Sequence, residues 1–142
     1  MKVRELMTPN VIRIRPEEPV AVAARNLTHY NIGMLPVCGS DGKLRGVVTD
    51  RDLVTRCIAA GRDPQKTKVS QIMSGSVVGI PPDLETEEAA EIMGRRQIRR
   101  LPVLEKEKLC GMVSLGDLAV REQSNPDAAD ALEDISKNIS NR

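Results

Sequence analysis

The octapeptide GVVTDRDL at residues 46–53 indicates how the chain is organised, because it returns near the other end of the chain as GMVSLGDL at residues 111–118. In each copy a glycine opens a short apolar run that is typical of a β-strand. A hydroxyl residue then stands three positions before an aspartate, as Thr49 and Asp52 do in the first copy, where the pattern predicts the start of a helix. The chain is therefore expected to form the same local structure twice.

The repeat extends well beyond this element. Residues of the first half recur 66 positions later as far as Val37, and 65 positions later from Leu44 onward, because one turn is a residue shorter in the second copy. Such a slip is tolerated in a loop. Matched segments include Leu35-Pro36-Val37 and Leu101-Pro102-Val103. This spacing divides the chain into a first repeat (1–61), a polar linker (62–68), a second repeat (69–121) and a C-terminal tail (122–142).

Each repeat reads as β-α-β-β-α. Alternation at residues 11–15 predicts a strand, the segments 34–38 and 44–48 predict a hairpin, and residues 50–60 predict a closing helix that Gly61 ends. The fold class is therefore mixed α/β (α+β). Because about 50 residues are too few for a dependable core, we expect the two repeats to pack about a pseudo-twofold axis. The first helix of each repeat has one apolar face, formed by Val20, Ala23, Ala24 and Leu27 in the first copy and by Thr86, Ala89, Ala90 and Met93 in the second.

Composition excludes several classes of function. The 21 Lys and Arg residues nearly balance the 20 Asp and Glu residues, so the protein has no strong overall electrostatic field to attract nucleic acid. The aromatic content is 1%, so aromatic platforms on which bases could stack are missing as well. Three cysteines without a C-x-x-C pair and a single histidine, His29, argue against a disulfide framework and a metal site. No run of about 18 apolar residues offers a transmembrane helix. We expect a cytoplasmic protein that does not bind a membrane.

The tail carries a further helix signal. Proline at the first helical position follows Asn125, and Leu132, Ile135 and Ile139 form an apolar stripe. Such a helix could cover the protein's own surface, or it could bind a partner or close a dimer. The sequence leaves both roles open.

The chemistry of the repeated element suits a nucleotide. An aspartate can accept both hydroxyls of a ribose, and a nearby serine or threonine can donate to a phosphate together with the N-H groups at the start of a helix. The alternative is purely structural, because Thr49 with Asp52, and Ser114 with Asp117, also match the capping box of a helix. Neither a Walker-type phosphate loop nor an activated nucleophile accompanies the element, so an enzyme is not expected.

Three features occur in both copies: a methionine before a short strand, an Ile-x-x-Leu-Pro-Val segment, and the Gly-x-x-Thr/Ser-x-x-Asp ending. Together they resemble a tandem pair of cystathionine-β-synthase-type (CBS) domains, also called a Bateman module, over about residues 1–121. The resemblance implies a non-catalytic regulatory module that binds an adenosine-type ligand in the cleft between the repeats and signals by a conformational change. AMP, ADP, ATP, S-adenosylmethionine and NAD are the implied ligands, no other cofactor is required, and a homodimer and an unknown regulated protein are the implied partners. The alternative is an interaction or oligomerisation scaffold with degenerate ligand sites. Nucleic acid is a weaker option that rests on the arginines of the second copy.

The resemblance also implies that each site is built crosswise, with the hydroxyl and the aspartate from one repeat and the base-holding residues from the other. The first predicted site joins Thr49, Arg51 and Asp52 to Val77, Val78, Ile98, Arg99 and Arg100. The second joins Ser114 and Asp117 to Val11, Ile12, Ile32, Gly33 and Met34. Because guanidinium groups bind phosphate through bidentate hydrogen bonds, the first site is expected to prefer more phosphate than the second.

Overall fold

The computed structural model describes residues 1–121 of the chain. Within this part the strands are β1 (Thr8–Pro9), β2 (Met34–Cys38), β3 (Leu44–Thr49), β4 (Arg100–Glu105) and β5 (Lys108–Ser114). The helices are α1 (Val20–His29), α2 (Asp50–Asp52), α3 (Thr86–Arg96) and α4 (Leu115–Arg121). A π-helical stretch (Leu53–Ile58) continues α2, and 3-10 turns lie at Val3–Glu5 and Val69–Gln71. The predicted mixed α/β fold is confirmed. The apolar stripe predicted for the tail lies outside the described residues.

The described residues form two compact units that do not follow the repeats of the sequence. Unit 1 contains residues 1–11 and 78–106 and continues from residue 110, whereas unit 2 contains residues 12–77 and 107–109. The opening segment of each repeat is therefore exchanged into the unit built from the other repeat. Val3 is fully buried in the core of unit 1, and Val69 is fully buried in the core of unit 2.

Unit 2 contains the predicted hairpin. Strands β2 and β3 pair in antiparallel fashion with Met34 opposite Thr49, and Gly42 takes a positive φ of 81° in the turn between them. Helix α1 covers this sheet with the predicted apolar face, in which Val20, Ala23 and Leu27 are buried. The unit has its own core, composed of Ile14, Val20, Ala23, Leu27, Leu35, Val37, Val48, Cys57, Val69 and Ile72.

Two details of unit 2 differ from the prediction. The strand predicted at residues 11–15 is reduced to Ile14, which pairs in parallel with Val37, because a turn at Pro16 ends the pairing and Ile12 is exposed. The closing helix begins at residue 50 as predicted, but its second part is π-helical. There the N-H of Ala59 donates to the carbonyl of Val54, five residues back, at 2.8 Å.

Unit 1 repeats the arrangement with one more named strand. The strand order is β1-β5-β4, and Ile80 adds a parallel bridge to Val103 on the far side of β4. Helix α3 buries the predicted face of Thr86, Ala89, Ala90 and Met93. Its core is separate from that of unit 2 and contains Val3, Ile80, Ala89, Ala90, Met93, Leu101, Val103, Val113, Leu115 and Leu118.

The glycine that opens each octapeptide is required by the exchanged segment. At Gly111 an added Cβ would lie 2.6 Å from Sδ of Met7 and 3.0 Å from the carbonyl oxygen of Thr8. At Gly46 it would collide with the carbonyl oxygen of Ser74 and lie 3.2 Å from Sδ of Met73. Only glycine admits so close an approach of a second backbone, so this position serves packing in both copies.

Candidate functional site

Both copies of the hydroxyl–aspartate element form a capping box. In the first, the Asp52 N-H donates to Oγ1 of Thr49 at 3.1 Å, and the Thr49 N-H donates to Oδ2 of Asp52 at 3.0 Å. In the second, the Asp117 N-H donates to Oγ of Ser114 at 3.1 Å, and the Ser114 N-H donates to Oδ2 of Asp117 at 2.9 Å. The predicted capping geometry is therefore confirmed in both copies, and any ligand must use what the caps leave available.

The caps leave part of each pair available. A capping hydroxyl accepts a hydrogen bond and keeps its own hydrogen for donation, and a carboxylate bound through one oxygen keeps the other. In unit 2, Oδ1 of Asp52 lies 3.7 Å from Nε of Arg56, a weak ion pair. Among residues 1–121, Oδ1 of Asp117 receives no hydrogen bond and no ion pair. The Ser114–Asp117 pair is thus the more open of the two.

The register of each hairpin decides which side chains stand beside the hydroxyl. Met34 is opposite Thr49, and the next residue, Asp50, donates its N-H to the carbonyl of Gly33 at 3.1 Å. In the second repeat the N-H of Leu115 donates in the same way to the carbonyl of Arg99 at 2.8 Å. The residues that begin a hairpin therefore lie beside the hydroxyl that ends the same hairpin.

This register shows which predicted site residues lie together within one unit. Arg99 and Arg100, predicted for the site of Thr49, lie beside Ser114 in unit 1. Gly33 and Met34, predicted for the site of Ser114, lie beside Thr49 in unit 2, and the crosswise grouping itself stays a prediction. The physical cause is the antiparallel pairing of consecutive strands, which brings the two ends of one hairpin together.

Unit 1 contains a pocket at this position. Its volume is about 390 Å³, within the range of small-molecule sites, and it is lined by Arg99, Arg100, Ser114, Leu115, Gly116 and Ala119. Both arginines are exposed, and within the described part of the chain neither forms an ion pair. Among the described residues no acidic side chain lines the pocket, so the described rim is positive beside a free hydroxyl hydrogen.

Gly116 keeps the Ser114 hydroxyl open to this pocket. Among the described residues, a Cβ at Gly116 would meet Oγ of Ser114, at 3.6 Å, and no other atom within 4 Å. The corresponding residue in the first repeat is Arg51, whose side chain is exposed. The two hydroxyls therefore have different surroundings, although their capping geometry is the same.

The remaining predicted site residues are divided between the units. Unit 1 contains Val11, Val78 and Ile98, each partly buried. Unit 2 contains Ile12, Ile32 and Val77, of which Ile12 is 36% exposed. Their crosswise contribution to a ligand site stays a prediction.

Three residues near the two hydroxyls were not expected from the sequence. Leu115 and Ala119 give the pocket of unit 1 its apolar wall, and Asp50 places a carboxylate beside Gly33 in unit 2. The signal that could have found them is the hairpin itself, since its turn fixes which residues are opposite each other.

Other reactive groups of the described residues do not form a catalytic arrangement. His29 packs edge-to-face against Tyr30, with ring centroids 4.7 Å apart. Burial raises the pKa of the Cys38 thiol and of the Cys110 thiol, which makes both poor nucleophiles. Residues 1–121 contain no group of three His, Cys, Asp or Glu side chains that could hold a metal ion, and no helix among them is long and apolar enough to cross a membrane.

Fold and site together define a class of protein: a duplicated module with an exchanged segment in each unit and a ligand-sized pocket without catalytic groups. Comparison with known families gives the particular one. The CBS domain model matches residues 3–58 and 69–122, so the chain belongs to the CBS domain family and carries two such domains. It is a CBS-domain protein of the regulatory type.

Relatives of known sequence or structure agree with this assignment. The chain is 42% identical over 134 residues to the CBS domain-containing protein YhcV of Bacillus subtilis, covering 94% of each chain. It superposes on Hypoxic Response Protein I, whose crystal structure has two coordinated zinc ions, with a TM-score of 0.80 and 30% identity over 86% of this chain and 99% of that one. It also superposes on CBSX2 in complex with AMP, with a TM-score of 0.75 and 26% identity over 84% of this chain and 94% of that one.

Proposed function

We propose that this chain is a non-catalytic sensor that binds an adenosine-type nucleotide in the unit 1 pocket beside Ser114. The observation that carries the proposal is the pair of exposed arginines, Arg99 and Arg100, which line one pocket with a hydroxyl and have no ion-pair partner among residues 1–121. Two unpaired guanidinium groups at one small pocket favour a phosphate, which they bind through charge-assisted hydrogen bonds.

The rest of the ligand is assigned by the neighbouring groups. Asp117 is not among the described lining residues, but it shares the capping box with Ser114 and keeps Oδ1 available to accept from a ribose hydroxyl, and the apolar side chains of Leu115 and Ala119 offer a wall without hydrogen-bonding groups. The AMP bound to CBSX2 supports an adenosine ligand in a protein of the same family. The phosphate-preferring site is accordingly the one at Ser114, which reverses the expectation that placed it at Thr49.

Signalling requires a second state. A nucleotide changes the protein's behaviour only if it binds two conformations with different affinity, and a regulated partner would then read the difference. Assembly into a homodimer is part of the proposal. It is supported by Val54 and Ile58, which lie one turn apart and are each 60% exposed. A cytoplasmic location, where adenine nucleotides are abundant, is part of it as well.

Calorimetric titration with AMP, ADP and ATP tests the proposal. The paired substitution Arg99→Ala and Arg100→Ala should weaken ADP binding about 10- to 100-fold, the loss expected from one or two charge-assisted hydrogen bonds. The matched control replaces Arg95 and Arg96, two exposed arginines in the last turn of α3 that do not line the pocket. It removes the same charge and should change the affinity by less than about twofold.

Two results would overturn this assignment. Equal ADP affinity of the Arg99/Arg100 variant and the unsubstituted protein would show that the nucleotide does not bind in this pocket. Absence of a thermal shift with every nucleotide would favour the alternative, an interaction scaffold with degenerate sites, because any ligand that binds only the folded form must stabilise it.

A further inference from the structure

We infer that an acidic segment of the tail (residues 122–136) binds Arg99 and Arg100 at the unit 1 pocket of its own chain and so competes with the nucleotide. The inference rests on the proposed function, because it assigns a form of regulation to the same pocket. Of the two roles that the sequence leaves open for the tail, it selects the covering of the protein's own surface. The distribution of charge, the unpaired arginines and the place where α4 ends support it.

Charge is distributed unevenly along the chain. Residues 1–121 contain 19 Lys and Arg against 15 Asp and Glu, because two of the 21 basic residues and five of the 20 acidic residues come later. The acidic segment contains all five of these carboxylates and no lysine or arginine: Glu122, Asp127, Asp130, Glu133 and Asp134. A nearly neutral chain is therefore divided into a positive described part and a negative segment, which attract each other.

The pocket of unit 1 offers two available cations to this segment. Arg99 and Arg100 line the pocket and are exposed, and within residues 1–121 neither forms an ion pair. Among the described residues no carboxylate lines the pocket, so an acidic side chain that enters it meets no like charge there. Arg95 and Arg96 are exposed as well, but they do not line the pocket and serve as an internal reference.

The acidic segment begins next to this pocket. Ala119 lines the pocket, and α4 ends two positions later at Arg121, about 3 Å further along the helix axis. Asp127 follows Arg121 by six positions, and an extended chain of that length spans up to about 20 Å, so its carboxylate can reach the arginines. Attachment to α4 also keeps the segment at a high effective concentration beside the pocket, so individually weak ion pairs suffice.

Phosphate and carboxylate compete for the same guanidinium groups. Both are oxyanions that arginine binds through paired, charge-assisted hydrogen bonds, so an arginine held by the acidic segment is not available to a nucleotide. The apparent nucleotide affinity is then reduced according to the fraction of molecules in which the segment is bound. Its release supplies the two states with different nucleotide affinity that signalling requires.

Neutralising the acidic segment in the full chain tests the inference. The triple substitution Asp130→Asn, Glu133→Gln and Asp134→Asn should raise the affinity for ADP about three- to tenfold in calorimetry at low salt, because several surface ion pairs are lost together. Sodium chloride at about 0.5 M should remove most of this gain, since it screens exposed charges. These substitutions lie outside residues 1–121, and an unchanged melting temperature shows that the variant is folded.

The matched control removes the same charge elsewhere. Glu87→Gln, Glu88→Gln and Glu91→Gln neutralise three exposed carboxylates of α3 that do not line the pocket. Because they are not attached beside the arginines, this variant should change the ADP affinity by less than about twofold.

Arginine modification detects the contact without any nucleotide. Phenylglyoxal modifies accessible guanidinium groups, and mass spectrometry identifies the modified residues. In the absence of ADP, Arg99 and Arg100 should react about three- to tenfold faster in the neutralised variant than in the unsubstituted protein, because the rate follows the fraction of molecules in which the segment is released. Arg95 and Arg96 should react at the same rate in both proteins.

The outcomes separate this inference from the proposed function. Equal modification rates of Arg99 and Arg100, or an affinity gain no larger than that of the α3 control, would overturn the inference alone while ADP still binds. Absence of ADP binding in all three proteins would overturn the proposed function and with it the competition. Protection of the arginines that weakens as the protein is diluted would assign the contact to a second copy of the chain and overturn the contact within one chain.

Discussion

Replacing Gly46 by alanine should destabilise the protein, because the added methyl group has no space. It would collide with the carbonyl oxygen of Ser74 and lie 3.2 Å from Sδ of Met73. That carbonyl accepts from the N-H of Val47 at 3.0 Å, and the Ser74 N-H donates back to Val47 at 2.9 Å. Relief of the collision therefore requires the exchanged segment to move away and weakens two hydrogen bonds.

The expected cost follows from these contacts. Forced overpacking costs about 1–3 kcal/mol, and each weakened backbone hydrogen bond adds up to about 1 kcal/mol, so we expect a loss of about 2–4 kcal/mol. Since a chain of this size loses roughly 3 °C of Tm per kcal/mol, the expected shift is roughly 6–12 °C. Thermal unfolding followed by circular dichroism measures it. Gly75→Ala is the matched control, because no atom of the described residues lies within 4 Å of its added Cβ and φ is not positive.

The control should change the free energy of unfolding by no more than about 0.5 kcal/mol, or raise it slightly, because alanine lowers the conformational entropy of the unfolded chain. A Tm of the Gly46 variant within about 2 °C of the Gly75 variant would refute the explanation of this glycine by close approach. It would mean that the segment moves away at no cost, and the packing role assigned to the first residue of the octapeptide would have to be abandoned.

Three further predictions concern caps, acid stability and thiol reactivity. Thr49→Ala should cost about 1 kcal/mol in urea unfolding, because the Asp52 N-H loses its acceptor, whereas Thr49→Ser should cost less than half of that. Hydrogen bonds from Lys2 and the N-terminal amine lower the pKa of the exposed Glu85 carboxyl. Glu85 therefore stabilises the folded protein above the unfolded-state pKa, and this stabilisation is lost as the pH falls through the lower folded-state pKa. Glu85→Gln should flatten the acid limb of a Tm-against-pH curve, and an unchanged limb would contradict this. Iodoacetamide should alkylate the partly buried Cys110 before the fully buried Cys57, and both should react faster in denaturant; equal rates in the folded protein would contradict the burial.

The sequence predicted the repeated elements well because their periodicity reports burial directly. The faces of α1 and α3 were read from apolar spacing, and Val20, Ala23 and Leu27 are buried as that spacing requires. The short strand before α1 was overestimated, because alternation cannot tell a single parallel bridge at Ile14 from a longer ladder.

The sequence identified the hydroxyls, the aspartates and the arginines, and the structure shows their neighbours only within each unit. There the hairpin register brings Arg99 beside Ser114 and Gly33 beside Thr49, which the crosswise prediction did not consider. That register was available: a turn at residues 39–42 and pairing of Val37 with Gly46 lead directly to Met34 opposite Thr49.

The exchange of the opening segments could not be predicted from the pattern. Lys2-Val3 and Lys68-Val69 occupy equivalent positions, and both turns are closed by the same kind of hydrogen bond, from Lys2 to Glu5 and from Lys68 to Gln71, at 2.8 Å each. Two segments of such similar sequence could fill either core, and only tertiary packing chooses between them.

The exchange also sets the order in which the protein can be completed during synthesis. Nearly all of unit 2 lies within residues 12–77, so it can form while the ribosome is still translating the second repeat. Unit 1 needs residues from both ends of the described range, because Thr8 pairs with Met112, more than 100 positions later. Val3 must therefore stay without its core partners until the second repeat has been translated, which makes residues 1–11 the segment most in need of protection during synthesis.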